Sequence, residues 1–238
     1  MSEIGSYGNL FYAISTRVHG VPLESLSAEQ WLAVVPSLAT AMEAMRAADL
    51  SSTTGIGGWG ADGNADCASW TERLMAVDAD TPGRRTYGWR QRLADYSPEG
   101  EADFVWGYKL LSEIASDSVP RSLLHCDLMN RNVLVQDRRI SGIFDWGCAI
   151  YGDPLYELAG IEFWAPWFPQ LDVTYLRTEL EQRWHDTGDV PKDKAKRLAA
   201  CYLYIGLEHL AYNAYLGDWK MLSATAARMK TLVNKEDF

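Results

Sequence analysis

The sequence predicts an α+β fold that is mostly helical, in a chain of 238 residues. Apolar residues recur at helical spacing through most of the chain, whereas short apolar runs separated by polar turns lie at the N-terminal end and in residues 123–144. Hydrophobic residues make up 47% of the composition, which allows a buried core without disulfides or a structural metal. Disorder and low-complexity architectures are therefore excluded.

The N-terminal end is predicted to form one or two strands followed by a helix. The apolar residues of the extended segment are Leu10, Phe11, Tyr12, Ile14 and Val18. Ser27 and Gln30 have the spacing of a capping box, which predicts the start of an amphipathic helix that continues to about Asp49. Pro36 lies inside this pattern and indicates a kink or a later helix start.

Residues 51–68 are rich in Gly, Ser, Thr and Asp, which predicts a long loop. Within it, residues 55–60 match G-x-G-x-x-G letter for letter. A dinucleotide fingerprint needs a strand before these glycines and a helix N-terminus after them, because the helix end binds the pyrophosphate. Here a predicted helix precedes and polar residues follow, so we interpret the match as a loop.

The rest of the chain is predicted as helices around a group of short strands. Helices are predicted over residues 70–77 and 103–115, and the polar stretch 87–101 is ambiguous. The predicted strands lie near residues 123–124, 132–135 and 140–144, and helices follow over residues 155–164, 174–184, 192–216 and 219–233.

Charge and targeting signals narrow the classes of partner. With 32 acidic and 22 basic residues the net charge is -10, which disfavours binding to nucleic acid or anionic lipid and suits a cationic small molecule. The N-terminus lacks the pattern of a signal peptide, and no apolar run reaches the ~20 residues of a membrane span. The four cysteines are scattered, as expected for reduced thiols. We therefore expect a cytoplasmic protein with no nucleic-acid or membrane partner.

Three polar residues in and after the central strands indicate a chemical site. Asp127 lies in a predicted turn, Asn132 lies five positions later on the same loop, and Asp145 ends the next hairpin. Amide and carboxylate oxygens such as those of Asn132 and Asp145 suit Mg²⁺, which also binds phosphate oxygens. Asp127 is then free to accept a proton from a hydroxyl. This order of Asp, Asn and Asp is the one that kinases use for phosphoryl transfer.

Each of these residues alone has an ordinary structural explanation. An isolated Asp or Asn in a turn commonly caps the local backbone, and an Asp after a strand commonly marks only the strand end. The combined order H-x-D-x-x-x-x-N, an apolar hairpin and then I-F-D-W-G favours the nucleotide-phosphate interpretation.

This segment resembles the catalytic-loop motif of the aminoglycoside phosphotransferase family. The family pattern is H-x-D-x-x-x-x-N-V-L, then I-D-W, then G-D-P-x-Y with an acidic residue before L-A, and it corresponds to residues 125–134, 144–146 and 152–159. Residues 47–57, 157–167 and 205–210 are similar to family members that act on hygromycin B. The resemblance extends from about Tyr12 to at least Leu216, which is nearly all of the chain.

The resemblance implies a protein-kinase-like fold and an ATP- and Mg²⁺-dependent transfer of phosphate. The acceptor would be a hydroxyl of a hygromycin B-like aminoglycoside or aminocyclitol antibiotic, and the activity would give antibiotic resistance. Residues 20–238 would form a kinase-like C-terminal lobe with a small catalytic β-hairpin, and residues 1–19 a remnant of the N-lobe sheet with the hinge.

The resemblance also implies roles for individual residues. Asp127 would be the catalytic base, and Asn132 and Asp145 the metal ligands. His125 would brace the catalytic loop, and Asp153 would tie the following helix to that loop. The hinge backbone that binds adenine would include Ser15, Thr16 and Arg17.

Carboxylates and aromatic side chains on the later helices are the predicted contacts to the antibiotic. They are Glu157, Glu162, Trp164, Trp167 and Glu208. Carboxylates between aromatic walls suit ammonium groups and sugar faces. Each of these residues can also be an ordinary helix or core residue, so that alternative stays open.

The start of the chain departs from the family pattern. Family members carry a full N-lobe with a phosphate-covering loop, a strand lysine and a helix glutamate. Here about a dozen residues precede the hinge, and no lysine occurs before Lys109, so the resemblance implies an N-lobe that is largely absent. The exposed apolar edge would then invite a homodimer or a partner chain. A non-catalytic module that binds an antibiotic or a nucleotide, and a kinase for another small alcohol, remain alternatives.

Overall fold

The N-terminal segment is an exposed β-hairpin. A computed structural model describes residues 3–236 and 238. Its first elements are the antiparallel strands β1 (Glu3–Tyr7) and β2 (Leu10–Ile14), as predicted. Their apolar side chains are exposed, and Phe11 is 87% exposed. That this hairpin is an N-lobe remnant covered by a partner stays a prediction, and Met1 and Ser2 lie outside the described residues.

The first long helix, α1 (Ala28–Arg46), begins at the predicted capping box. The Ser27 side chain accepts the Gln30 backbone N–H, and the Gln30 side chain accepts the Ser27 N–H. The alternative of a later start near Pro36 is wrong, because the helix runs through this residue. Burial of its apolar face, which includes Trp31 and Leu38, offsets the hydrogen bond that proline removes.

The predicted loop over residues 51–68 contains a hairpin, so that prediction is wrong there. Strands β4 (Ile56–Trp59) and β5 (Ala65–Cys67) join β6 (Ser122–Leu124) and β9 (Ile150–Gly152) in a four-stranded sheet of order β5-β4-β9-β6. Strand β4 pairs with β5 on one side and with β9 on the other, and β9 lies so far along the chain that local sequence pattern contains no signal for this pairing. The glycine-rich residues 55–60 contain β4 itself, and a short turn leads from them to β5, so no helix follows at the point where a dinucleotide fingerprint needs one.

The predicted central hairpin is present in a second, three-stranded sheet. Strands β7 (Val133–Gln136) and β8 (Arg139–Ile143) pair in antiparallel fashion, and β3 (Val21–Pro22) adds to the outer side of β7. The two turn residues, Asp137 and Arg138, both have positive φ, as tight hairpin turns require. The hairpin fixes the positions of the segments that precede β7 and follow β8.

The remaining chain is helical, and one helix organises the core. The helices are α2 (Trp70–Met75), α3 (Trp89–Tyr96), α4 (Pro98–Ile114), α5 (Leu155–Trp164), α6 (Val173–Thr187), α7 (Lys194–Leu216) and α8 (Trp219–Val233). The ambiguous stretch 87–101 thus contains α3 and the start of α4. Helix α7 packs against α3, α4, α5 and α8. Across the described residues, we find no helix that is long and apolar enough to cross a membrane.

A buried ion pair joins α5 to α7. Asp153 is fully buried; its carboxylate accepts two hydrogen bonds from the Arg197 guanidinium and one from the Leu155 N–H. The sequence-based expectation that Asp153 ties α5 to the catalytic loop needs correction, because the charged partner comes from α7, 44 residues away. Its effect is to fix the start of α5 against the core helix.

Replacing Arg197 with methionine should destabilise the protein by about 3–5 kcal/mol, because it leaves the buried Asp153 carboxylate without its partner. Urea denaturation measures this change. The double variant R197M/D153N is the control, and it should recover part of the loss because it removes the uncompensated charge. A loss in R197M no greater than that of the double variant would contradict the role of this pair.

Candidate active site

His125 connects the loop after β6 to the end of β8. Its ring is fully buried, Nε2 lies 2.9 Å from the Phe144 carbonyl oxygen, and Nδ1 accepts the Asp127 backbone N–H at 3.3 Å. This arrangement fits a neutral ring with its proton on Nε2. His125 therefore orients the backbone at Asp127, which agrees with the bracing role expected from the sequence.

The Asp127 carboxylate is oriented by amide groups of its own loop. Asn132 Nδ2 donates to the Asp127 backbone oxygen at 2.9 Å and to its Oδ2 at 3.0 Å. Asn130 Nδ2 also donates to Oδ2, at 3.3 Å. These bonds use the Asn132 amide nitrogen, so the amide oxygen is the atom that can coordinate a cation.

The hairpin brings Asp145 to the same end of the sheet. The Phe144 N–H donates to the Asn132 carbonyl oxygen at 3.0 Å, and Asp145 follows in an exposed left-handed conformation with φ of 59°. Burial raises the pKa of the nearby Cys148 thiol, and the charges of Asp127 and Asp145 raise it further. The three residues predicted from the sequence are thus close neighbours.

The donor set at this end of the hairpin is suited to Mg²⁺. The carboxylate of Asp145 and the amide oxygen of Asn132 are hard oxygen ligands, and Mg²⁺ commonly uses one or two such ligands beside water and phosphate. Over the part of the chain that the structure describes, no cluster of three or more His, Cys, Asp or Glu side chains could hold a metal. The residues present therefore fit an ion shared with a phosphate group.

A cavity of about 710 Å³ opens beside Asp127. Three of the five predicted substrate contacts, Glu157, Trp164 and Glu208, line this cavity together with Asp127. The wall also contains two tyrosines, Tyr204 and Tyr212, and three basic side chains that the sequence analysis missed, those of Arg73, Arg84 and Arg85. The wall of the cavity therefore carries both negatively and positively charged side chains.

Glu162 and Trp167 lie outside the wall of the cavity. The Glu162 carboxylate is buried and receives hydrogen bonds from the Arg177 guanidinium at 2.6 and 2.9 Å and from the Tyr202 hydroxyl. The expectation that Glu162 binds substrate is corrected accordingly, because its oxygens are occupied by this internal network. Trp167 packs edge-on against Trp164, with ring centroids 5.1 Å apart, and supports the wall from behind.

The predicted hinge residues are exposed and lie outside the helices and strands. Ser15, Thr16 and Arg17 follow β2 and do not line the cavity. A role for their backbone in binding adenine therefore stays a prediction.

Glu157 supports the loop that carries Asp127 through hydrogen bonds to the loop backbone. Its Oε1 accepts the His125 N–H and the Cys126 N–H, the latter at 2.9 Å, although the side chain is only 5% exposed. Burial raises the pKa of Glu157 to about 7, against the opposing effect of the two backbone hydrogen bonds. Glu157 thus positions the loop as well as lining the cavity, a role that no local sequence signal predicts.

Glu24 is a second support of the loop that the sequence analysis missed. Its Oε1 accepts the Arg131 N–H at 2.6 Å, and Arg131 has a left-handed backbone with φ of 63°. A non-glycine residue in this region is strained unless its surroundings hold it. The contact joins residues 107 positions apart, so the sequence pattern contains no signal for it.

Residues 2–190 match the model of the phosphotransferase enzyme family. The chain belongs to this family. It is 31% identical over 232 residues to the hygromycin-B 4-O-kinase of Escherichia coli. That match covers 97% of the chain and 64% of the relative, so the chain spans less than two thirds of the length of that enzyme.

Solved structures with a similar fold support this result. The chain matches a thermostable mutant of aminoglycoside phosphotransferase APH(4)-Ia, in ternary complex with AMP-PNP and hygromycin B, with a TM-score of 0.76 and 31% identity over 98% of the chain and 75% of that structure. A choline/ethanolamine kinase family protein from Mesorhizobium loti matches at a TM-score of 0.60 and 14% identity, over 97% of the chain and 73% of that structure, which shows the fold alone. The predicted family and the kinase-like, mostly helical fold are confirmed.

Titration of Glu157 should make stability fall as the pH rises. The folded state keeps the Glu157 proton up to a pKa of about 7, whereas the unfolded chain loses it near the ordinary value of 4.5. The free energy of unfolding should therefore fall by up to about 3 kcal/mol between these pH values and then level off. E157Q keeps an oxygen acceptor and should lack this fall in urea denaturation series.

The control for this series is E113Q, which changes an exposed glutamate of α4. It should follow the pH dependence of the unchanged protein. Parallel pH profiles for E157Q and the unchanged protein would contradict the assignment of this titration to Glu157.

Proposed function

We propose that the chain transfers the γ-phosphoryl group of ATP to a hydroxyl of a hygromycin B-like aminoglycoside and so gives resistance to it. The observation that carries this proposal is that Asp127, oriented by Asn132 and neighbouring Asp145, lines a cavity large enough for a sugar ligand. The 31% identity to a hygromycin-B 4-O-kinase supports the choice of substrate class.

In the proposed reaction, Asp127 accepts the proton of the substrate hydroxyl. The hydroxyl oxygen forms a bond to the γ-phosphorus, the bond from this phosphorus to the β-phosphate oxygen breaks, and ADP leaves. The Asn132 and Asn130 amides hold the carboxylate in one orientation, so little reorganisation is needed when the proton moves.

Asn132 Oδ1 and the Asp145 carboxylate are the groups that would hold Mg²⁺. When bound, this ion neutralises charge on the phosphate oxygens. The supports from Glu157, His125 and Glu24 fix the backbone of the loop that carries Asp127 and Asn132. A site whose groups are held by such supporting contacts is more effective than one that must order itself during reaction.

The cavity wall suits a cationic sugar. The carboxylates of Asp127 and Glu208 concentrate negative charge where ammonium groups can bind. Trp164, which is partly exposed, offers an aromatic face to the sugar rings. The net charge of -10 favours approach of a polycation from a distance.

Replacing Asp127 with asparagine should lower kcat for ATP-dependent phosphorylation of hygromycin B by roughly 100- to 10,000-fold, because the proton acceptor is lost. Coupled detection of ADP measures the rate, and calorimetric titration measures binding of hygromycin B. The control D137N changes an exposed aspartate in the β7–β8 turn, where asparagine also tolerates the positive φ, and should leave kcat unchanged.

Equal turnover by D127N and the unchanged protein would contradict the proposed role of Asp127. Binding of hygromycin B without any phosphate transfer by the unchanged protein would instead identify a non-catalytic binding module. Transfer to choline but not to hygromycin B would identify a kinase for another small alcohol.

A further inference from the structure

Gly160 lies at the centre of the face that α5 presents to the cavity. The residues of α5 in the cavity wall recur at helical spacing, and they are Tyr156, Glu157, Gly160, Ile161 and Trp164. Gly160 lies one turn before Trp164 and, unlike the other four, has no side chain. It is partly exposed, so the cavity reaches its backbone.

The backbone conformation of α5 gives no reason for a glycine at position 160. Gly160 lies inside the helix and outside the left-handed region, so any residue can adopt its conformation. A glycine inside a helix is less favourable than alanine, because it loses more conformational freedom on folding. Gly160 therefore weakens α5 without a conformational need for it.

Packing inside the protein gives no reason for this glycine either. A Cβ added at Gly160 would have no heavy atom within 4 Å apart from the adjoining backbone of α5. At Gly107 and Gly206, by contrast, the added Cβ would lie 3.2 Å and 2.5 Å from side-chain atoms of Met229. Those two glycines allow α8 to pack closely on α4 and α7, whereas the space over Gly160 is part of the open cavity.

The ring of Trp164 is held beside this open space. Its centroid lies 4.6 Å from that of the His209 ring on α7 and 5.1 Å from that of Trp167, both in edge-on contacts. His209 Nδ1 lies 2.9 Å from the Ile205 carbonyl oxygen, which restrains the histidine ring in turn. Side chains of a helix lean towards its N-terminal end, so Trp164 borders the space over Gly160 without filling it.

We infer that Gly160 leaves room for a sugar or cyclitol ring of the substrate to lie against the backbone of α5 beside Trp164, and that it is a specificity-determining residue of this site. The inference rests on the proposed function. Such a ring has C–H groups on its faces, which suit bare backbone and an aromatic side chain. Its hydroxyl and ammonium groups lie at the edges, where the carboxylates of Asp127 and Glu208 remain available. A side chain at position 160 would occupy the volume that the ring needs.

Substitutions of Gly160 separate substrate binding from stability. G160A improves the helix propensity of α5, so the midpoint of its urea denaturation should rise. The same variant should raise the KM for hygromycin B by roughly 10-fold, and the larger G160L by roughly 100-fold, with kcat and the KM for ATP within about threefold. The control T231A also improves helix propensity, at an exposed position of α8, and should keep the KM of the unchanged protein.

Calorimetric titration with hygromycin B in the absence of nucleotide is the second readout, and it should show losses of affinity of roughly 10-fold for G160A and 100-fold for G160L. Unchanged KM and affinity in G160L would overturn the inference, because the substrate would then not occupy the space over α5. A lower denaturation midpoint for G160A would also overturn it, because the glycine would then serve the fold.

The nucleotide and the proposed function are tested by the same variants. A raised KM for ATP with an unchanged KM for hygromycin B would overturn the inference, because the nucleotide would then fill the space. If the unchanged protein transfers no phosphate but binds hygromycin B, and G160L weakens that binding, the proposed function fails and the role of Gly160 stands. Absence of both transfer and binding would overturn both.

Discussion

The backbone conformation of the loop that carries Asp127 depends on one buried carboxyl group. Glu157, at the start of α5, accepts the N–H groups of His125 and Cys126, and Cys126 itself has a left-handed backbone with φ of 65°. A left-handed residue other than glycine needs such external support. The conformation directs the Asp127 backbone towards His125 and its side chain towards the amides of the loop. The position of α5 in turn follows from its buried ion pair with α7, so the core helix determines where the loop lies.

This chain of contacts restrains the site although it lies on a loop. Loops are usually the most mobile part of a fold, and active sites on loops need a firm scaffold. Here the loop has supports at three points, from Glu157, from the Phe144 carbonyl through His125, and from Glu24. Each support comes from a different element, so no single local movement releases the whole loop.

The cavity combines carboxylates with a half-buried arginine, and this mixture constrains its ligand. A wall of carboxylates alone would accept any compact cation. Arg73, held over Tyr204 and near Glu208, adds a positive charge to this wall, which disfavours a second cation beside it. Binding then depends on the arrangement of oxygen and nitrogen groups along the ligand and not only on its charge, which is how binding sites achieve selectivity.

The sequence by itself determined the helices other than α3 and the start of α4, the β7–β8 hairpin and the order of Asp127, Asn132 and Asp145, because these depend on local spacing and capping. It did not reveal β4 and β5, since β4 joins the sheet by pairing with β9, which is distant in the chain, and β5 pairs in turn with β4. Nor could it separate Glu157 and Glu162, which are five residues apart on α5: one faces the catalytic loop and the other faces Arg177 of α6. Only the tertiary structure decided these roles, because the partner of each carboxylate comes from another element and local spacing contains no information about it.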